Sequence, residues 1–241
     1  MTRRDLALLQ AGLSQHKRRV AEAQSIVRRA LAAAPSWYVA LSGGKDSTCI
    51  LHLVRELDPE TRANFSQRQW DLPETLDYLN TIDGLDRVTY EANAGQPWLP
   101  NWDSRAEAEA HGVRWLEREE IGTRGSKEAG VFLGLRADEN SYRQRHLDRF
   151  GPLFRTEAGI WHANPISAWS VLDVWAYIYS HAVPYNPAYD VMERIGVPLG
   201  EQRVGPFGFA LHAGSLAILK RGWPTVFNDL AAQHPEARSY A

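Results

Sequence analysis

One short run of residues combines the side chains and backbone features that phosphate binding requires. It is the sequence Ser-Gly-Gly-Lys-Asp-Ser at residues 42–47. Adjacent glycines let a backbone turn sharply and bring its N–H groups against an anion. The lysine adds a mobile positive charge, and both serine hydroxyls can donate hydrogen bonds to phosphate oxygens. The aspartate can cap a following helix or hold a Mg²⁺ ion that bridges those oxygens. We therefore predict a phosphate-binding loop rather than a plain strand-to-helix turn, and its residues are Ser42, Gly43, Gly44, Lys45, Asp46 and Ser47.

The segments on either side of this loop are a predicted strand and a predicted helix. Residues 37–41 are apolar and favour a strand, and residues 48–54 continue as an apolar run without Gly or Pro. The N-terminus of that helix would offer unpaired N–H donors and a partial positive charge to a bound phosphate. The loop is not of the Walker A type, because that motif needs an earlier glycine and here Asp46 directly follows the lysine.

A second group of candidate residues follows the apolar strand predicted at residues 131–135. Ligands of parallel sheets bind beyond the carboxyl ends of the strands, where Arg136, Asp138 and Glu139 would project. Arg136 and Arg143 are candidates for binding phosphates or a second substrate that accepts a transferred group, because an arginine fork suits bidentate phosphate or sulfate recognition. The two carboxylates could ligate Mg²⁺ or orient an arginine. The alternative is that a helix begins at Asn140-Ser141, that the two carboxylates serve its positive end and that Arg143 and Arg145 form surface pairs.

The hexapeptide at residues 42–47 resembles in full the PP-loop of the N-type ATP pyrophosphatases, a superfamily that cleaves ATP between its α and β phosphates. Later blocks, in family order, are similar to the phosphoadenosine phosphosulfate (PAPS) reductase family of that superfamily; they lie at residues 72–79, 132–143, 164–178 and 183–190. This resemblance implies an α/β fold of the adenine nucleotide alpha hydrolase-like, HUP type, which is a parallel sheet sandwiched by helices. A C-terminal extension made mainly of helix and loop is expected to follow it. It places Glu74 in the family's Pro-Glu-Thr block as a candidate substrate-binding residue, together with Asp138 and Glu139.

Two departures from the family pattern limit what the resemblance implies. The chain has one cysteine, Cys49, which falls among apolar residues of the predicted helix, where a buried and inert thiol is expected. Reduction by a thiol of this chain is therefore not expected, and neither is a cysteine-ligated Fe–S cluster; no His-x-x-x-His spacing suggests zinc. In addition, Gln69-Trp70-Asp71 stands where the family usually has Asp-Thr-Gly.

Length and composition fit one sizeable α/β domain, because 241 residues that are 44% hydrophobic and 23% charged can enclose a single core. We divide the chain into an N-terminal helical segment (1–34), a PP-loop ATP pyrophosphatase or PAPS reductase-like domain (35–196) and a C-terminal extension packed on the same domain (197–241). In that extension, Arg203 is a candidate to close over bound phosphates. No apolar leader or membrane-spanning stretch is visible, which predicts a cytoplasmic location and no membrane partner.

The pattern of the remaining segments alternates between helices and strands, as α/β folds do. We expect strands and helices separated by loops, with one or two amphipathic helices at the start. The predicted helices are at residues 5–33, 74–80, 107–119, 171–178 and 215–220, the strands at 62–65 and 87–91, and the loops at 94–102 and 122–130.

These features together predict an enzyme that binds ATP with Mg²⁺, cleaves it between the α and β phosphates and adenylylates an acceptor that the sequence does not identify. Lys45 would stabilise the charge on the pyrophosphate leaving group, and Arg136 or Arg143 would steady the α-phosphate or the acceptor. These three are the candidate catalytic residues.

Three alternatives remain open. The pocket could bind a sulfonucleotide and use a thiol from a partner protein. The chain could modify nucleic acid, for example by sulfur insertion with partner subunits, although its net charge of −2 gives no general attraction to nucleic acid. Support for that alternative comes from a basic face in residues 5–33, which is otherwise expected to be solvated. Third, the chain could be a nucleotide sensor without catalytic activity.

Overall fold

The computed structural model describes residues 1–67, 71–90, 104–116, 129–204 and 214–241. Within these residues, seven strands form one mostly parallel sheet in the order β4-β3-β2-β1-β5-β7-β6, and only the β6–β7 pair is antiparallel among the strand pairs whose direction is resolved. The strands are β1 (Trp37–Ala40), β2 (Arg62–Ser66), β3 (Leu85–Tyr90), β4 (Arg114–Leu116), β5 (Gly130–Phe132), β6 (Leu153–Arg155) and β7 (Trp161–Ala163).

Helices connect and flank these strands. In the described residues they are α1 (Arg3–Gly12), α2 (Ser14–Ala33), α3 (Lys45–Arg55), α4 (Pro73–Asn80), α5 (Arg105–Ala110), α6 (Ser141–Phe150), α7 (Val171–Ser180), α8 (Ala188–Arg194), α9 (Ser215–Gly222) and α10 (Pro224–Gln233). Short 3₁₀ turns occupy Ala137–Glu139 and Pro235–Tyr240. None of the helices in the described part of the chain is both long and apolar enough to cross a membrane.

The register of the central strands determines which loops share an edge of the sheet. Val39 of β1 pairs with Ala63 of β2 on one side and with Phe132 of β5 on the other, and Phe132 pairs in turn with Ala163 of β7. All of these pairs are parallel, so the segments that follow β1, β5 and β7 leave from the same edge. The parallel order therefore brings the predicted phosphate loop and the segment of Arg136 to one end of the sheet.

The chain divides into two compact units. The first contains the described residues within 1–65, 84–86 and 119–185, and the second those within 66–83, 87–118 and 186–241. The predicted phosphate loop and the segment from β5 to α7 lie in the first unit, whereas Glu74 and Arg203 lie in the second. The domain boundaries predicted after residues 34 and 196 stay predictions.

Most of the predicted elements are confirmed, and the exceptions have local causes. The pattern at residues 5–33 forms two helices, α1 and α2, and the predicted strands and helices around the loop are present. The prediction of one helix over 107–119 is wrong, because α5 ends at Ala110 and β4 begins at Arg114. Gly112 has a φ of +71°, a left-handed conformation that ends a helix and that glycine adopts without strain. The strand predicted at 131–135 ends earlier, at Phe132.

Strands β6 and β7 were not expected, because each is only three residues long. The predicted loop at 94–102 and most of the one at 122–130 lie outside the described residues.

Helix α7 is largely buried in the first unit. Its residues Trp175 and Tyr177 have no exposed surface, and neither has Val174. Ser170 caps the helix, and its hydroxyl exchanges hydrogen bonds with Asp173 in a capping box. This helix forms the wall against which α1 and α3 pack.

Candidate functional site

The segment 42–47 forms a tight turn between β1 and α3. Gly43 has a φ of +71°, which a residue with a side chain rarely adopts, and Gly44 is the N-cap of α3. Ser47 closes the turn, because its hydroxyl donates to the Gly44 carbonyl at 3.0 Å and accepts from the Ser42 backbone N–H at 3.1 Å. The loop is thus held in shape by its own serines directly before α3, and a helix N-terminus is a general location for anion binding.

Lys45 and Asp46 place opposite charges at the first turn of α3. Lys45 is buried, with 4% of its surface exposed, and its Nζ lies 3.1 Å from Asp46 Oδ2. Burial alone would raise the pKa of Asp46, but Lys45 and Arg136 beside it outweigh burial and hold that pKa below its ordinary value. Asp46 is therefore an ionised carboxylate that fixes both cations at the loop.

Arg136 connects the loop to the end of β5 and to α7. Its Nε donates to Asp46 Oδ1 at 2.5 Å, and its Nη1 donates to Asp138 Oδ1 and, at 3.4 Å, to the Trp169 carbonyl. Asp138 Oδ2 accepts in turn from the Val171 backbone N–H at 3.2 Å, the first residue of α7. Arg136 is 4% exposed. Residues from three separate segments thus form one charged chain beside the predicted phosphate loop.

Arg143 and Glu139 lie one turn further along the chain. Arg143 Nη1 donates to Glu139 Oε2, which also accepts from the Arg136 backbone N–H at 3.1 Å. Asn140 caps α6 through the Arg143 backbone N–H. The helix predicted as the alternative is therefore present, and Arg143 has a carboxylate partner in the 3₁₀ turn just before it. Arg136, by contrast, contacts the loop itself.

Glu74 and Arg203, the candidates from the second unit, have different surroundings. Glu74 Oε2 accepts a 2.8 Å hydrogen bond from the Trp223 indole, which fixes the carboxylate at the first turn of α4. Arg203 is exposed at the end of a described segment. Their assignment to a substrate site stays a prediction.

Gly134 lies against the loop of residues 42–47 and was not among the predicted site residues. A Cβ atom at this position would lie 3.1 Å from the Asp46 carbonyl carbon and 3.1 Å from the Ser47 backbone nitrogen. These atoms belong to the backbone of the loop and cannot rotate away. Gly134 lies in the family-like block at residues 132–143, but only the close approach of the segment after β5 to the first turn of α3 explains why glycine is needed.

Replacing Gly134 with alanine is expected to weaken Mg-ATP binding, because the new methyl group would push the first turn of α3 away by a few tenths of an ångström. We expect about a 3- to 10-fold loss of affinity, since overpacking of this kind costs about 1 kcal/mol or more. Isothermal titration calorimetry measures the affinity for Mg-ATP. Gly12→Ala is the matched control, because a Cβ there meets nothing within 4 Å. Unchanged affinity in Gly134→Ala would contradict the assignment.

Cys49 lies in α3 one turn after the loop, with no exposed surface. Its Sγ donates to the Val174 carbonyl at 3.6 Å. Burial raises the pKa of this thiol well above its ordinary value, an effect that the nearby Asp46 carboxylate reinforces. The predicted buried state is confirmed, and Cys49 is a protonated core residue rather than a nucleophile.

The donor set at the loop fits a Mg²⁺ ion that is held largely by nucleotide phosphates. Among the described residues, no group of three or more His, Cys, Asp or Glu side chains is arranged to hold a metal ion. Asp46 is the carboxylate within the loop, and Asp138, whose side chain is 42% exposed, is the next one along the charged chain. Mg²⁺ in nucleotide sites commonly takes one or two carboxylates and completes its shell with phosphates and water. Asp46 and Asp138 would be the protein ligands, in exchange for part of their contacts to Arg136.

The fold has counterparts among solved structures. The FMN adenylyltransferase of Candida glabrata in complex with FAD and inorganic pyrophosphate superposes with a TM-score of 0.51 at 13% identity, over 78% of this chain and 66% of that chain. At this identity the likeness concerns the fold alone. It confirms the predicted fold class, and the chain is an α/β protein of the HUP, adenine nucleotide alpha hydrolase-like type.

Residues 36–197 match the phosphoadenosine phosphosulfate reductase domain family, and because this is more than half of the chain, the protein belongs to that family. The chain is 24% identical over 178 residues to an adenosine 5′-phosphosulfate reductase of Bacillus cereus, covering 67% of this chain and 74% of that protein. It is 25% identical over 224 residues to the uncharacterized protein YbdN of Escherichia coli, covering 72% of this chain and 55% of that protein. The resemblance predicted from the motifs is confirmed, and the protein is a PAPS reductase-like, nucleotide-binding member of the family.

Proposed function

We propose that this protein binds ATP on the loop of residues 42–47, cleaves it between the α and β phosphates and transfers the adenylyl group to an acceptor. The observation that carries the proposal is the pairing of a buried Lys45 with the N-terminus of α3 at a turn shaped by Gly43. A full charge and a set of aligned backbone donors suit a leaving pyrophosphate, whose negative charge grows as the bond breaks.

In the proposed reaction, an acceptor oxygen attacks the α-phosphorus, the bond to the oxygen bridging the α and β phosphates breaks, and pyrophosphate leaves. The acceptor's proton passes to solvent. Lys45 and the loop amides bind the departing β and γ phosphates, and Arg136, held by Asp46 and Asp138, orients the α-phosphate. A bound Mg²⁺ would neutralise part of the phosphate charge.

The state of Cys49 supports adenylyl transfer over reduction by this chain's own thiol. A sulfonucleotide reductase needs a thiolate that reaches the substrate, and the chain's single cysteine is fully buried with a raised pKa. Replacing Cys49 with alanine is accordingly expected to leave nucleotide binding and turnover intact.

A second candidate is a sulfonucleotide enzyme that takes its thiol from a partner protein. The similarity to an adenosine 5′-phosphosulfate reductase supports it. In that case the same loop and arginine would bind a 3′-phosphorylated or sulfated adenine nucleotide.

Calorimetric titration with Mg-ATP, PAPS and adenosine 3′,5′-bisphosphate separates the two candidates. We expect Mg-ATP to bind most tightly, and a screen of acceptors to give pyrophosphate rather than orthophosphate. Cys49→Ala should behave as the wild type in both measurements. Tighter binding of the 3′-phosphorylated nucleotides would instead select the sulfonucleotide enzyme, and release of orthophosphate alone would overturn the proposed cleavage site.

A further inference from the structure

Helix α6 carries an exposed face that combines aromatic rings with cations. Tyr142 is 73% exposed and Phe150 43% exposed. Within the described part of the chain, they are the only aromatic residues among the exposed large hydrophobic side chains, and both lie on this one helix. An exposed ring costs free energy in water, so two on one short helix indicate a surface that contacts a partner.

Helical spacing places these rings and two arginines together. At about 100° per residue, positions 142, 145, 146, 149 and 150 fall within an arc of about 140°. Asp148, the acidic residue of α6, lies outside that arc and accepts a 2.7 Å hydrogen bond from Gln144. The residues of this aromatic-arginine face are Tyr142, Arg145, His146, Arg149 and Phe150.

The rings of the face continue into the neighbouring strands. The Phe150 ring stacks on Phe154 of β6, with centroids 5.2 Å apart and planes 30° apart. The His146 ring lies 4.9 Å from Phe150, and Phe154 lies 5.2 Å from His162 of β7. These contacts hold the Phe150 and His146 rings in place against the sheet.

The cations of this face are available for a ligand. Arg145 and Arg149 are both exposed, and neither forms an ion pair with any residue that the structure describes. The guanidinium of Arg149 lies 5.0 Å from the centre of the Phe150 ring. The charge of the face is therefore positive and is carried beside flat ring surfaces.

We infer that the aromatic-arginine face of α6 binds single-stranded nucleic acid. Unpaired bases stack on exposed aromatic rings, and arginines beside those rings contact the phosphates. A duplex hides the faces of its bases, so a platform of this kind selects single strands. From position 142 to position 150 the face spans about 12 Å, the length of about three nucleotides at the spacing of one DNA strand. The inference is independent of the proposed ATP chemistry, because no residue of the loop 42–47 takes part.

The basic face of α2 provides a matched comparison. Its exposed cations are Lys17, Arg18, Arg28 and Arg29, and its one aromatic side chain, His16, is buried. It can attract phosphates but offers no exposed ring. Substitutions on α2 therefore separate general charge attraction from stacking.

The test measures fluorescence anisotropy of labelled oligo-dT and oligo-U of about 12 nucleotides, a length within the usual site sizes, at about 50 and 200 mM salt. We expect the wild type to bind both, Tyr142→Ala to weaken binding about 5- to 100-fold, and Arg149→Gln to reduce the salt slope by about 0.7. Arg28→Gln should bind as the wild type. Thermal melting by circular dichroism confirms that each variant is folded.

Three results would overturn the inference. One is absence of wild-type binding up to about 100 µM, the weak end of non-specific affinity. Another is equal affinity of Tyr142→Ala and the wild type. The third is loss of binding in Arg28→Gln but not in the α6 variants, because it would assign binding to charge alone.

Discussion

Replacing Lys45 with alanine is expected to reduce ATP-dependent pyrophosphate release about 100- to 1000-fold, the usual effect of removing one preorganised group that stabilises transition-state charge. Mg-ATP affinity should fall about 10- to 150-fold, because a hydrogen bond to a charged group is lost from a buried position. Lys45 is 4% exposed and lies at the first residue of α3, where its charge adds to that of the helix N-terminus. Calorimetry measures the affinity, and an enzyme-coupled pyrophosphate assay measures the release.

Alanine is the best helix former, so Lys45→Ala is expected to fold, and thermal melting checks this. Lys17→Ala is the matched control, because Lys17 is an exposed lysine of α2 outside the loop. Affinity within about twofold of the wild type in Lys45→Ala would show that the nucleotide does not bind at this loop. The affinity measurement decides this even before an acceptor is known.

Asp173→Ala is expected to lower the free energy of unfolding by about 3 to 5 kcal/mol, the cost of removing one partner from a buried charged network. Asp173 has no exposed surface. Its Oδ1 accepts from Gln10 Nε2 at 2.9 Å and lies 3.0 Å from His16 Nδ1, while its Oδ2 contacts Arg19 and the cap residue of α7. The substitution would remove the N-terminal anchor of α7 and leave the Arg19 guanidinium without its carboxylate. Urea unfolding followed by circular dichroism measures the change.

Asp173→Asn, which keeps the shape but loses the charge, should lower the free energy of unfolding by less, and Asp229→Ala on the exposed side of α10 should lower it little.

Burial would raise the pKa of Asp173, but hydrogen bonds from His16, Gln10 and Ser170 hold it well below the ordinary value of 3.8. A carboxylate with a lowered folded pKa stabilises the protein above its unfolded pKa, and this contribution is lost as the pH falls below about 4. The wild type should therefore lose more stability than Asp173→Ala on acidification below that pH. Parallel acid titrations of the two proteins would contradict the network.

Several site features could be predicted because their signals are local in sequence. The loop, the strand before it and the helix after it are encoded by consecutive residues, so glycine geometry, charge and apolar pattern identify them without tertiary information. The cap formed by Ser170 and Asp173 is equally local, because its partners are three residues apart. The wrong prediction of one helix over residues 107–119 has a local cause as well. The helical pattern extends past Gly112, but Gly112 adopts a left-handed backbone conformation that ends the helix.

The sequence by itself determined the family, the fold class, the strand, turn and helix around residues 42–47 and the burial of Cys49. Only the tertiary structure decided that Arg136 reaches Asp46, a partner 90 positions earlier, and that Asp138 joins it to the first amide of α7. It also decided that Arg143 pairs with Glu139 and that the rings of α6 share a face with two arginines which pair with no described acid. The physical reason is that strand register and helix packing are fixed by contacts between distant segments. The partner of a charged side chain therefore depends on the whole fold and leaves no signature in its neighbouring residues.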